Sequence, residues 1–272
     1  MIADQVARYL EGERTTNDDI LGTMMRRFGA VTFRQLMEPT AAPRINSYPP
    51  SAATKCPRAN YGAWIGAPSE PFAGKTRRTF YGGDIAELVT IGLAQLAFLG
   101  TRHSIGLNNE QVDIPLGTQG KIRKGYIDGM ITYNHDEAEA AGFAPCRPRR
   151  AEWVDANGNE DLLVEFKSMD DFPFELFQKD GPDDTWGYLG QVTVYQRALH
   201  LRRYVMVAVH RGSLEVAEYI GTYSNTLAAK ADANFDAVML GAEANTPPPM
   251  PTLDGYGRDA SGLLKLKCSA LW

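Results

Sequence analysis

A carboxylate and an ammonium group lie two residues apart in an apolar segment, residues 162–168, whose sequence is LLVEFKS. Side chains alternate across a β-strand, so Leu163, Glu165 and Lys167 would share one face of it. Charged groups on a buried strand are costly unless they are paired or used, and this pair suits a cation, a phosphate or both. A Glu-x-Lys tripeptide alone is more typical of a solvated ion pair on an edge strand. Its interpretation therefore depends on the surrounding elements.

Two further carboxylates lie on elements that could position them beside this pair. Residues 79–99 have the apolar spacing of a long helix, and Glu87 falls next to its apolar stripe. Residues 125–133 are predicted to form one strand in which apolar residues bracket Asp128, where an unpaired carboxylate would be costly to bury. A glutamate in the position of Glu87 is usually a surface residue of its helix, but it could also point inward at the rim of a site.

The elements that follow complete an α/β pattern. Residues 151–154 and 161–169 flank a turn-forming sequence and predict a hairpin, with the Glu165 strand as its second arm. Residues 170–184 are predicted to be a loop that carries Phe172, Phe174 and Phe177. The helix predicted over 185–201 places Tyr188, Gln191 and Tyr195 on one face, and that face could also be a half-buried aromatic stripe. Further strands are predicted at 111–116, 204–209 and 214–223, and a helix at 226–244.

The net charge of −5 argues against a protein that coats nucleic acid through general basicity. Local basic runs, such as those at residues 121–124 and 147–150, could still line a positive channel. Cys56, Cys146 and Cys268 are widely spaced and indicate neither a disulfide framework nor a zinc site. With no signal peptide or membrane span in the sequence, a cytoplasmic protein without membrane contact is expected.

Taken in order, these features resemble the PD-(D/E)XK nuclease superfamily. The order is a helix with Glu87, a strand with Asp128, a strand with Glu165-x-Lys167, and a helix with Gln191-x-x-x-Tyr195. This last motif resembles the RecB-type branch, including the CRISPR-associated RecB-like exonucleases. The flanks are similar as well, in Cys56-Pro57-Arg58, residues 83–87 and the prolines at 247–249.

The resemblance implies a restriction-endonuclease-like α/β core with a central mixed β-sheet flanked by helices. We expect an N-terminal helical extension and linker at 1–45, the nuclease domain at 46–252 and a tail at 253–272. The implied activity is Mg²⁺-dependent hydrolysis of DNA phosphodiester bonds, with Mn²⁺ as a substitute, in an exonuclease of recombination, repair or end processing. A structure-specific or restriction-type endonuclease, or a silent DNA-binding subunit, remains an alternative.

The resemblance also assigns roles to individual residues. Catalysis would fall to Asp128, Glu165 and Lys167. Metal ligation would fall to Asp128, Glu165, the backbone carbonyl of Phe166 and Glu87. Hard oxygen ligands of this kind suit Mg²⁺. Substrate contacts would come from Tyr188, Gln191, Tyr195, Phe172, Phe174 and Arg123.

Two departures from the RecB-type pattern qualify these expectations. An iron-sulfur cluster needs four thiolates and the chain has three cysteines, so no cluster is expected. The polar, alanine-rich segment at 134–150 looks like an insertion that could alter access to the site. The expected partner is DNA with linear ends, and a homo-oligomer or a recombination protein is left open.

Overall fold

A computed structural model describes residues 2–12, 17–37, 46–67, 74–99, 101, 103–106, 110–142 and 150–249. The predicted tail at 253–272, most of the linker before residue 46, and Cys146 and Cys268 lie outside these ranges. The helices within them are α1 (Ile2–Glu11), α2 (Asp18–Met37), α3 (Pro57–Trp64), α4 (Gly74–Ala97), α5 (His135–Ala140), α6 (Asp171–Asp180), α7 (Tyr188–Leu199) and α8 (Asn225–Glu243). The strands are β1 (Ser104–Gly106), β2 (Glu110–Leu116), β3 (Lys121–Ile127), β4 (Gly129–Asn134), β5 (Asn159–Met169), β6 (Arg203–His210) and β7 (Val216–Thr222).

The main sheet is mixed and has the strand order β1-β4-β5-β6-β7, while β2 and β3 form a separate antiparallel hairpin. Strands β5 and β6 run parallel, as two strands joined by a helical connection can do, and the other pairs of the main sheet are antiparallel. This α/β architecture, a mixed sheet with helices on both faces, is the one predicted. It is consistent with a restriction-endonuclease-like core.

Strand β5 lies at the centre of this sheet, and its side chains divide between two apolar cores. Leu163 faces the core that also contains residues of α7 and α8, whereas Leu162, Val164 and Phe166 face the core formed with α1 and α4. All four side chains are fully buried. The alternation predicted for residues 162–168 is therefore confirmed.

Three sequence-based predictions about local structure are wrong. Residues 125–133 are not one strand, because β3 ends at Ile127 and β4 begins at Gly129 in a different sheet. Residues 151–153 form a 3-10 turn, so the antiparallel partner of β5 is β4 and not a hairpin arm. The segment after β5 is helix α6 and not a loop.

Helix α6 has ordinary helix signals. Pro173 lies in its first turn, Gly181 follows its last residue with φ of 76°, and Phe174 and Phe177 are buried at a helical spacing of three.

The N-terminal helices pack closely on α4. Ile2 and Val6 of α1 belong to the core beneath α4. Met24 of α2 lies so close to Gly92 that a Cβ atom there would meet its sulfur at 2.1 Å, and the Thr32 hydroxyl lies 3.3 Å from that of Tyr81. Gly92 is therefore needed for the approach of α2.

Two other features bear on the predictions. Cys56, just before α3, is disulfide-bonded, and its partner lies outside the described ranges. A single bridge between distant cysteines leaves no spacing pattern in the sequence.

No helix within the described ranges is both long and apolar enough to cross a bilayer.

Candidate active site

The site lies where β4 turns away from β5. The ladder between these strands ends at the pair Gly129 and Val164, so the following residues of β5 present their backbone to side chains. The backbone N–H of Phe166 donates to Asp128 Oδ2 at 2.8 Å, and that of Ser168 donates to Glu87 Oε1 at 3.0 Å. Two carboxylates thus take over the hydrogen bonds that another strand would make.

The backbone carbonyl of Phe166 belongs to the same edge. In a β-ladder, the N–H and C=O of one residue point to the same side of the strand. Since the Phe166 N–H points at Asp128, its carbonyl oxygen also faces the side from which Asp128 approaches. The edge therefore presents both carboxylate and carbonyl oxygens.

Glu165 and Lys167 lie on the adjoining face of β5 and form an ion pair through Glu165 Oε1. The Glu165 side chain is fully buried, and its second oxygen, Oε2, has no hydrogen-bond partner among the described residues. The Lys167 side chain keeps 17% of its surface exposed, and its Nζ lies 5.4 Å from the centre of the Tyr188 ring. The pair is thus not the solvated one that the isolated tripeptide allowed.

Burial and mutual repulsion make the ionised state of these carboxyl groups unfavourable. Burial raises the pKa of Glu87 to about 7, and the negative charge of Asp128 contributes to this shift. Burial also raises the pKa of Asp128. It raises that of Glu165 as well, where the charge of Asp128 adds to the effect.

The ammonium group of Lys167 opposes this repulsion. Burial by itself would lower the pKa of Lys167, but the charges of Glu165, Asp128 and Glu87 raise it overall. When ionised, three carboxyl groups around one lysine would carry excess negative charge, which a bound cation would offset.

The donor set fits a divalent metal ion of the magnesium type. Buried carboxylate oxygens normally have a partner. Glu165 Oε2 has none among the described residues, and a bound ion would supply one. Within the described ranges, no group of three or more His, Cys, Asp or Glu side chains is placed so that together they could hold a metal ion. Mg²⁺ does not require such a group, because it usually binds one or two carboxylates and keeps water or phosphate oxygens as its other ligands.

A cation that the sequence did not indicate also belongs to this site. The charge of Arg27, on α2, lowers the pKa of Asp128 and so opposes the effect of burial. Arg27 follows Met24 by three residues and lies on the same side of α2, the side that packs on α4. Nothing in the local sequence of α2 reveals that it packs there.

Two residues of α7 that were predicted to contact substrate have different surroundings. Gln191 is half-buried. Tyr195 is 2% exposed, and its hydroxyl accepts the backbone N–H of Tyr126 at 3.0 Å and donates to the carbonyl of Tyr126 at 2.7 Å. Tyr195 thus fixes the end of β3 immediately before Asp128.

The three remaining predicted substrate contacts are dispersed. Phe172 is 65% exposed at the start of α6, whereas Phe174 is buried in the core and packs near His210. The guanidinium of Arg123 lies over the rings of Trp64 and Phe235, at 4.8 and 5.1 Å from their centres. The structure thus brings together Glu87, Asp128, Glu165, Phe166, Lys167 and Tyr188, but turns Phe174 and Arg123 toward packed aromatic surroundings.

No protein-family model matches the chain, and no curated protein does. Among solved structures it is similar to an alkaline exonuclease, LHK-Exo, from Laribacter hongkongensis. The identity is 13% and the TM-score 0.46, over 74% of this chain and 90% of that one. For the complex of LHK-Exo with dAMP the identity is 14% and the TM-score 0.46, and the match covers 77% of this chain and 94% of that one. For a protein named SSO0001 the identity is 13% and the TM-score 0.41, and the match covers 77% of this chain and 83% of that one.

Proposed function

We propose that this protein is a metal-dependent nuclease that hydrolyses DNA phosphodiester bonds. The observation that carries the proposal is the cluster of Glu165, which is buried, with Asp128 and Lys167, which are half-buried; one Glu165 oxygen has no partner among the described residues. A site of this kind unites a cation-binding edge with a positive group, and phosphodiester hydrolysis needs both. The exonuclease mode, and a role in recombination, repair or end processing, follow from the resemblance to the RecB-type branch.

The residues of the site have distinct parts in this reaction. Asp128, Glu165 and the Phe166 carbonyl would hold Mg²⁺, and Glu87 would hold a second ion or an ordered water. Bound Mg²⁺ polarises a phosphate oxygen and lowers the pKa of a water ligand. The Lys167 ammonium, fixed by Glu165, would orient the attacking water and offset phosphate charge.

The ring of Tyr188, which lies beside Lys167, would contact the substrate. Tyr188 flanks the ammonium at the start of α7 and would border the scissile phosphate. Gln191, one turn further along the same helix, would contact the adjacent nucleotide. Both assignments extend the roles that the resemblance gives to this helix.

A cleavage assay on three forms of DNA tests the proposal. Purified protein is incubated with linear, nicked and circular DNA, with Mg²⁺, with Mn²⁺ and with EDTA. We expect degradation of the linear form alone, supported by either ion and abolished by EDTA. Cutting of circles would instead favour the endonuclease alternative, and binding without any cutting would favour the silent subunit.

Matched variants tie the activity to the site. Asp128→Asn and Glu165→Gln should abolish cleavage. Asp161→Asn changes an exposed carboxylate on the same strand, one that accepts a hydrogen bond from Thr132, and should leave cleavage intact. Near-normal activity in Glu165→Gln would show that the site is assigned wrongly. The absence of an iron-sulfur cluster also stays a prediction, which iron analysis of anaerobically purified protein would test.

A further inference from the structure

The β2–β3 hairpin ends immediately before Asp128, a residue of the site. Along β3 the side chains alternate between solvent and core, with Ile122, Lys124 and Tyr126 outward and Gly125 and Ile127 inward. Side chains two apart share a face of a strand, so positions 122, 124 and 126 lie on one exposed face, and β3 ends at Ile127, immediately before Asp128. Tyr126, at 55% exposure, is therefore the last outward residue before Asp128.

The backbone that carries Tyr126 is held rigidly. The Tyr195 hydroxyl bonds both its N–H and its carbonyl. On the inner face of the hairpin, a Cβ at Gly125 would meet Ile114, Pro50 and Tyr195 at 2.6 to 2.8 Å, so there is no space between the hairpin and the core. An exposed ring on such a fixed backbone loses little conformational entropy when a ligand stacks on it.

A positive group accompanies the ring on the same face. Lys124 precedes Tyr126 by two residues and keeps 57% of its side chain exposed. It pairs with Asp113, directly opposite on β2, whose side chain is also exposed. Exposed pairs of this kind are worth about 0–1 kcal/mol, so a phosphate can readily compete for the ammonium.

We propose that the outer face of this hairpin guides a single strand of DNA into the site, with Tyr126 stacked on an unpaired base and Lys124 on the backbone. An aromatic ring on which a base can stack, beside a basic group that can meet the phosphate backbone, is a usual means of binding single strands without sequence preference. Duplex bases present no free face, so the proposal names single-stranded DNA, or a frayed end, as the substrate class. It rests on the proposed nuclease function.

Fluorescence anisotropy with a labelled oligonucleotide tests the proposal. Binding is measured in Ca²⁺, which occupies oxygen sites but supports hydrolysis poorly, for a single strand and for a blunt duplex of the same sequence. Tyr126→Ala should weaken binding of the single strand about fivefold or more, the scale of losing one stacked base. Tyr126→Phe keeps the ring and should restore most of the affinity.

The matched control is Tyr219→Ala, which removes an exposed tyrosine of β7 at 41% exposure. It should bind the single strand as the wild type does. The inference fails if Tyr126→Ala binds the single strand normally, if Tyr219→Ala weakens binding equally, or if the duplex loses as much affinity as the single strand.

The inference and the proposed function fail in distinguishable ways. A wild-type protein that cleaves DNA while Tyr126→Ala keeps full affinity for the single strand overturns only the role of the hairpin. A wild-type protein that neither binds nor cleaves DNA overturns the proposed function, and the inference with it.

Discussion

Replacing Glu165 with glutamine should remove the response of stability to Mg²⁺ without destabilising the protein in EDTA. Glutamine keeps an oxygen that can accept from Lys167, but it removes a charge that Asp128 and Glu87 repel. We therefore expect the unfolding temperature of Glu165→Gln in EDTA to equal or exceed that of the wild type. This would be unusual for a substitution at a fully buried position.

The size of the effect follows from mass action. A ligand at one hundred times its dissociation constant stabilises the native state by about 2.7 kcal/mol. At about 2–4 °C per kcal/mol for a chain of this size, saturating Mg²⁺ should raise the wild-type unfolding temperature by about 5–10 °C. Glu165→Gln should show little of this rise.

Differential scanning fluorimetry with a Mg²⁺ titration would measure both quantities. Asp161→Asn, which alters an exposed carboxylate of the same strand, controls for a general effect of charge and should keep the full rise. A Glu165→Gln protein that keeps the wild-type rise would refute the assignment of Glu165 as a ligand. A large loss of stability in EDTA would show that the Glu165–Lys167 pair stabilises the fold more than the charge repulsion weakens it.

Three further predictions concern neighbouring groups. Lys167→Ala should lower kcat about 10²-fold or more while DNA affinity in Ca²⁺ changes far less; normal turnover with much weaker binding would make the lysine a phosphate anchor. Arg27→Gln should lower DNA affinity and the steepness of its salt dependence, whereas Arg26→Gln, on the exposed side of α2, should not. If both substitutions lowered DNA affinity equally, Arg27 would contribute only as general surface charge. Tyr195→Phe should cost about 1–3 kcal/mol of stability, because it leaves the Tyr126 backbone groups unpaired, and should lower kcat more than it raises KM; unchanged denaturant unfolding would contradict this.

The sequence predicted those parts of the site that depend on local periodicity. The shared face of Glu165 and Lys167 follows from the two-residue repeat of a strand, and the apolar residues between them fixed that repeat. The helix that carries Glu87 was predicted by its 3.6-residue repeat over residues 79–99, and in the structure it begins five residues earlier and ends two residues earlier, at Gly74–Ala97.

The parts that were missed depend on which elements meet. Alternation across residues 125–133 does not reveal that β3 and β4 enter different sheets, because both sides of Asp128 keep the same repeat. The nearness of Arg27 to Asp128 depends on the packing of α2 against Gly92, 65 residues away in the sequence. A pattern within α2 cannot encode that contact.

The break at Asp128 also explains how the fold tolerates so much buried negative charge. If β4 continued beside β5, it would satisfy the N–H groups of Phe166 and Ser168 by ordinary pairing, and neither Asp128 nor Glu87 would have a donor there. Because β4 ends its pairing at Val164, those N–H groups need acceptors, and the two carboxylates provide them.

Glu165 is the exception to this arrangement, and it argues for a functional site. Its Oε1 meets Lys167, but its Oε2 stays buried with no partner among the described residues, and the pKa of the group is raised. A purely structural strand would be more stable with an apolar residue at this position. The uncompensated oxygen is costly in the free protein, and a bound cation would compensate it, which supports the proposed metal-dependent function over the silent-subunit alternative.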